Sequence, residues 1–436
     1  MVAIVLNTGI IPVHAESSIP PVPPSSLPEK YSGIGPENFP EGINPLTGLP
    51  VSNPDNLKNP PALVSVTNWP STARPQAGLS FSPMVFEVYI GEGMSRFLAL
   101  FYGDYPKEAK TLNEVVVNSN SPVANMGEDA VSSTNSPKSP AITADEEATI
   151  GPIRSGRLYY EHIRKIYNGF LIMASAFQGV AKNLGNYSNV FGSDEGNINS
   201  AMIKVSNLEA IAKANQNDLG GSTFGMRFDP TPPPGGVTAK SFWFFYNILN
   251  QIVWKYNAGT GFYERFQFTE EKHNTFIQAV DKLNKNPLAY SNIVVLFANH
   301  RACKETAFDI DLLYVKRGDA LLFRDGQLYK INWTTLSGDY ERKTGKLRPI
   351  RFMNDAGEPF PFKPGQTWVY IVPSQTGYAE IREVDKLDKI INESVPTESS
   401  ALFDMIQKKL PGTGTWSMRY FASMLITDTS VCDQLH

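Results

Sequence analysis

Cysteine is scarce: Cys303 and Cys432 are the only two in 436 residues. Two thiols make no disulfide framework, so stability has to come from a buried core. An oxidising compartment would let them pair. Nothing in the sequence places them together, and two independent thiols is the expectation. Histidine is scarce too, with five residues and no H-x-x-x-H or H-E-x-x-H arrangement among them. That speaks against a zinc hydrolase, and no metal or cofactor is expected. No apolar run approaches the roughly 20 residues that a membrane-crossing helix needs. Basic excess is also missing: 39 Lys+Arg against 43 Asp+Glu leave a net charge of −4, which excludes a general nucleic-acid binder. Ser175 lacks a G-x-S-x-G context, and no nucleophile motif accompanies His300, which fits a turn histidine better than a base.

What is present is core material and a clear order of segments. Hydrophobic residues make up 42% of the chain, enough for two or three domains. Residues 1–15 carry a modest apolar run ending in Val13-His14-Ala15, the small-x-small pattern of secretory cleavage, although no Lys or Arg precedes Lys30. The expectation is export, with cleavage after Ala15 and an extracytoplasmic location. Residues 16–43 are rich in Pro and Ser and suggest a semi-rigid tether. Residues 44–220 form an expected α/β domain interrupted at 107–149 by a polar surface loop. After the Gly/Pro breakpoint near 231–236, residues 237–373 are expected to be β-rich, with a C-terminal extension over 374–436. The fold class is therefore α+β.

The N-terminal half holds the chemistry. Met84–Ile90 and Ser95–Tyr102 read as a hairpin around Gly91-Glu92-Gly93. Ile150-Gly151-Pro152-Ile153-Arg154-Ser155-Gly156-Arg157 precedes a helical pattern. Ser155 is a suitable N-cap, and Gly156 allows close backbone approach. Arg154 and Arg157 add two planar forks suited to carboxylate or phosphate. The anion-binding candidates are thus Arg154, Ser155, Arg157, Arg96 and Arg74, with Ser175 a further polar contact at a strand end. Glu87 and Glu92 are either an acid/base pair or counter-ions that brace the arginines. Arginines beside a helix start often pair with the chain's own acids, so a purely structural role weighs evenly against a ligand site. The two functional readings are an exported binding protein for an anionic group and an envelope hydrolase or transferase acting through a glutamate. Partners would be cell-wall material or another envelope protein.

Several ordered motifs resemble one family. Arg74-Pro75-Gln76-Ala77-Gly78-Leu79, Phe86-Glu87-Val88, Ser95-Arg96-Phe97-Leu98-Ala99 and the 151–157 turn are similar to the YerB-like family of bacterial envelope lipoproteins. So are Asp319–Gln327, Pro349-Ile350-Arg351-Phe352 and Pro364–Val369. The resemblance spans roughly 44–373 and implies an extracytoplasmic, surface-tethered protein with no assigned activity. Three departures stand out: no lipobox cysteine, the loop at 107–149, and no histidine between Met226 and Ser241.

Overall fold

The structure, a computed structural model, describes residues 33–106, 147–216, 221–269, 275–374, 378–380, 414–420 and 426–435. The expected leader, most of the tether, the bulk of the 107–149 loop and a short helix expected near Leu402–Ile406 lie outside the described residues.

The main elements, in chain order, begin with β1 (Ala62–Thr67), β2 (Met84–Gly91) and β3 (Met94–Phe101). Then come α1 (Tyr160–Tyr167), β4 (Phe170–Met173), α2 (Gln178–Ala181), β5 (Tyr187–Asn189) and α3 (Val205–Ala214). The second half supplies β6 (Ser241–Asn247), β7 (Asn250–Asn257), β8 (Phe262–Thr269), β9 (Asn292–Ala298), β10 (His300–Lys304) and β11 (Ala307–Ile310). It ends with β12 (Gly318–Arg324), β13 (Gln327–Thr334), α4 (Asp339–Thr344), β14 (Thr367–Pro373), β15 (Thr415–Arg419) and α5 (Thr429–Leu435). Helix and strand mix, and strand dominates.

One eleven-stranded sheet takes strands from both halves, in the order Val237–Thr238, β13, β12, β9, β14, β2, β3, β1, β4, β5, with Arg351–Met353 beside β13. β14 is the joint: it runs parallel to β9 and to β2, with Thr367 opposite both Asn292 and Met84. β9 and β14 are buried along their whole length, as their unbroken apolar runs require of strands covered on both faces. A seven-stranded sheet built on β6, β7, β8 and β15 covers one face. Trp254 of β7 meets Trp368 of β14 edge-on at 5.4 Å between the two sheets. α1 covers the other face, where Tyr167 packs on Phe86 at 5.8 Å.

Three expectations need correction. Thr149, placed in the loop by the sequence, belongs to a strand: Thr149–Ile150 pairs with Ile203–Lys204. Gly412-Thr413-Gly414-Thr415 reads in the sequence as a break in the C-terminal extension, yet Thr415 opens β15, which runs parallel to β6 in the second sheet. Cys303 and Cys432 are not independent thiols. They form a disulfide with Cα atoms 5.0 Å apart, because α5 folds back onto β10 and β11.

Candidate functional site

β1 changes partner along its length. Its first half pairs with β4, from Ala62–Phe170 to Val64–Ile172. Beyond that, residues 152–154 occupy the same side: Thr67 N donates to Pro152 O and Arg154 N to Ser65 O, both at 2.9 Å. Ala174 N, just past β4, donates to Arg154 O at 2.9 Å. The arginine turn is thus wedged where two parallel strands part at their carboxyl ends, a usual place for ligands in open sheets. The packing there demands glycine: a Cβ on Gly156 would come within 2.5 Å of Met173 Sδ.

Pairing with β1 also overrides the local capping signal. Residues 152–157 stay extended, and Gly156 N donates to Ser175 O at 2.9 Å. The helix starts only at Tyr160, capped at Tyr159 with no side-chain hydrogen bond. Ser155 is therefore not the N-cap, and the helix dipole is not aimed at the turn. Instead Ser155 accepts from arginines: Arg96 Nη1 donates to its O at 2.8 Å and its Oγ at 3.1 Å, and Arg157 Nη1 to the Oγ at 3.3 Å. Arg154 binds Ile198 O through Nη1 and Asn199 Oδ1 through Nη2 at 3.0 Å.

Arg96, Arg154 and Arg157 converge, and none forms an ion pair among the described residues. Several other arginines of this chain are neutralised by acids. Arg164 is held by Glu161, Arg265 by Glu87, Arg301 by Asp309, Asp311 and Asp428, and Arg348 by Glu341 and Glu37. Arg96 is only 7% exposed. Burial, then the charge of Arg157, draws its pKa down to about 10; the nearby Tyr160 and Tyr159 act the other way. Burial likewise lowers Arg154. The Nε atoms of Arg96 and Arg157 are buried with no hydrogen-bond partner. Arg96 and Arg157 are anchored through Nη1, so the Nε–Nη2 edge of each, the fork that grips an oxyanion, has no partner among the described residues, whereas Arg154 spends Nη2 on Asn199.

The other expected residues fall elsewhere. Arg96 shares a sheet face with Val88 and Thr67, whereas Glu87, opposite Phe97, faces the second sheet. Glu87 is 0% exposed and accepts from Ser95 Oγ at 2.7 Å, Trp368 Nε1 at 3.1 Å and Arg265 Nη2 at 3.3 Å. Arg74 lies over Trp69 at 4.8 Å and donates to Asn68 Oδ1, whose amide reaches Ser95 on the Glu87 side. Glu92 is exposed on the β2–β3 turn at φ 53°. Ser175 is exposed at φ 63°, and its backbone holds Gly156. Sequence reasoning missed Ile198 and Asn199, which no motif marks. It also missed Arg265, 178 residues from the Glu87 it neutralises.

A cleft of about 910 Å³ lies elsewhere, near Tyr102 and Phe224, at the end of the sheet where the described chain enters. Its Arg348 is held by Glu341 and Glu37, and its Arg351 by Glu341, so it offers no comparable charge.

Comparison with known proteins follows this geometry. The profile of the DUF3048 N-terminal domain, a protein of unknown function, matches residues 46–113, and that of the DUF3048 C-terminal domain matches 244–369. Arg74, Glu87, Glu92 and Arg96 fall in the first match, and the 151–157 turn falls between the two. The Bacillus subtilis (strain 168) protein described as "Putative lipoprotein YerB" is 23% identical over 347 residues, covering 76% of this chain and 86% of its own length. The crystal structure of YerB from Bacillus subtilis superposes with a TM-score of 0.54 at 22% identity, over 76% of this chain and 96% of that one, a shared fold. Both DUF3048 domain profiles thus match this chain, in order, and the chain is similar to the YerB-like proteins in sequence and shares the YerB fold.

Proposed function

We propose that this protein is an extracytoplasmic binding protein that holds an anionic group at Arg96, Arg154 and Arg157, with Ser155 fixing the first and last of these. The single observation that carries the reading is the uncompensated charge. One buried and two half-buried guanidiniums lie together, and none of them forms an ion pair with a carboxylate among the described residues. An unpaired buried charge is costly, and a bound oxyanion would relieve that cost. The disulfide between Cys303 and Cys432 supports an oxidising compartment. The acid/base alternative loses one of its two candidates, since Glu87 is sealed in the core against Arg265 and Trp368, and keeps only the exposed Glu92. In a thermal-shift titration with phosphate against chloride at matched ionic strength, the melting temperature rises and saturates. For phosphate at about 100 times its dissociation constant, the stabilisation is about 2.7 kcal/mol. Arg157→Gln keeps the starting melting temperature within a few degrees and abolishes the rise. No rise with any anion, or the same rise in Arg157→Gln, overturns the assignment.

A further inference from the structure

We infer that the anion this site takes is the phosphodiester of a polyol- or sugar-phosphate polymer, threaded along the edge of the sheet at the arginine turn. This rests on the binding reading above and narrows it.

Charge is the first reason. Arg96 and Arg157 both reach Ser155, and Arg154 and Arg157 both act electrostatically on Arg96. One carboxylate offers a single planar pair of oxygens. A phosphate presents oxygens in several directions and can engage more than one guanidinium fork at once.

The rim supplies the second reason. The most exposed large apolar side chains among the described residues are Phe191 at 70%, Phe177 at 69% and Ile198 at 63%. All three belong to segments hydrogen-bonded to this turn or to its immediate neighbours. Ile198 O accepts from Arg154. Phe177 follows two residues after Ser175, whose O accepts from Gly156 N. Phe191 follows two residues after Asn189, whose Oδ1 accepts from Ser175 N at 3.2 Å. Exposed apolar groups gathered at one place mark a contact surface. Rings and an aliphatic chain around a cationic centre suit C–H-rich units between phosphates better than a bare ion.

Shape is the third reason. Exposed Asp194 and Glu195 lie between Phe191 and Ile198 in the same rim. A flat anionic bilayer would press on these acids as well as on the arginines, whereas a thread can pass them. The described chain also enters the fold at the far end of the sheet, where Asn44 Nδ2 donates to Tyr102 O. Arg96 is about 20 Å from that end at the rise of a strand. A chain held at its N-terminal side would present the arginine turn away from its anchorage.

The test uses the full chain with four probes: linear poly(glycerol phosphate), poly-L-glutamate of matched length, phosphatidylglycerol–phosphatidylcholine vesicles and inorganic phosphate. Poly(glycerol phosphate) binds at least about tenfold more tightly than polyglutamate, and Arg154→Gln removes the binding. Phe177→Ser/Phe191→Ser, two exposed changes that leave the core intact, weakens polymer binding about tenfold while the shift with inorganic phosphate is unchanged. Equal or tighter binding of polyglutamate overturns the inference and leaves the anion site standing. So does arginine-dependent vesicle binding, or a double variant that binds polymer like the parent. No binding of any of the four probes overturns both readings.

Discussion

Arg265 and Arg96 are both buried, and the fold treats them oppositely. Arg265 is 2% exposed, ion-paired to Glu87, and its guanidinium lies 5.0 Å from the Trp368 ring. Arg96 has Ser155 and no acid among the described residues. The first arrangement closes a core, and the second leaves a charge waiting. His300 is a third buried polar group with a measurable consequence. It is 1% exposed, donates from Nδ1 to Ala298 O at 3.0 Å, and has no partner at Nε2. Burial lowers its pKa from 6.5 to about 4. The sign follows directly. Above pH 6.5 the ring is neutral in both folded and unfolded chains and costs nothing. As pH falls from 6.5 towards 4, only the unfolded chain takes the proton, so stability is lost. The full loss is about 3 kcal/mol, at roughly 1.4 kcal/mol per pKa unit. His300→Asn keeps a donor for Ala298 and removes the titration. Denaturant unfolding at pH 7, 6, 5 and 4 should show a shallower acid decline in the variant; parallel declines would refute this account.

At the scale of elements, the C-terminal helix α5 shows how little local sequence needs to say. It is tied down by Cys432 to Cys303 on β10, by Asp428 to Arg301 at 3.3 Å, and by Gln434 O accepting from Asn183 Nδ2, two residues past α2, at 3.1 Å. The disulfide spans 129 residues, a loop long enough for cross-linking to contribute about 4–5 kcal/mol in the chain-entropy account. Cys432→Ser should lower the urea midpoint towards that of reduced wild type, and added reductant should leave the variant unmoved. A variant matching oxidised wild type would mean that α5 is held by its polar contacts alone. The strands around it were differently legible. The apolar runs at 62–67, 84–90, 95–102, 170–174, 292–297 and 367–372 each read as a strand from sequence, and the structure has a strand at each, because buried strands carry such runs. The start of α1 was not legible, since Ser155 has the right chemistry for a cap but is captured by pairing with β1. Nor was β15, whose place is set by β6, roughly 170 residues earlier in the chain, rather than by its own pattern. The arginines at 154 and 157 could be read as an anion turn. Their meeting with Arg96 is a long-range fact that spacing does not encode.

For the whole molecule, the decisive feature is that the sheet crosses the chain's main breakpoint. β2 pairs with β14 over five residues, Met84–Thr367 to Val88–Ile371, so the two halves share backbone hydrogen bonds as well as side-chain contacts. Glu87 reinforces the joint, taking one hydrogen bond from Trp368 and another from Arg265 in the second sheet. Removing residues 44–220 would bare one long edge of β14 and strip the α1-side cover from strands that are buried on both faces. Exposed apolar edges pair with other chains instead of folding. The expected outcome is therefore a single calorimetric transition for the oxidised full chain, with van't Hoff and calorimetric enthalpies agreeing, and aggregation when residues 237–373 are expressed alone. Two resolved transitions, or a soluble 237–373 fragment with a cooperative melt of its own, would show that each half holds its core independently. The arginine turn would then belong to a freestanding N-terminal unit. In the coupled case its charge cluster is braced, through β3, β2 and β14, by the entire sheet. A phosphate-induced rise in melting temperature would then stabilise both halves together, and following it at Trp368 as well as near Tyr159 separates the two cases in one experiment.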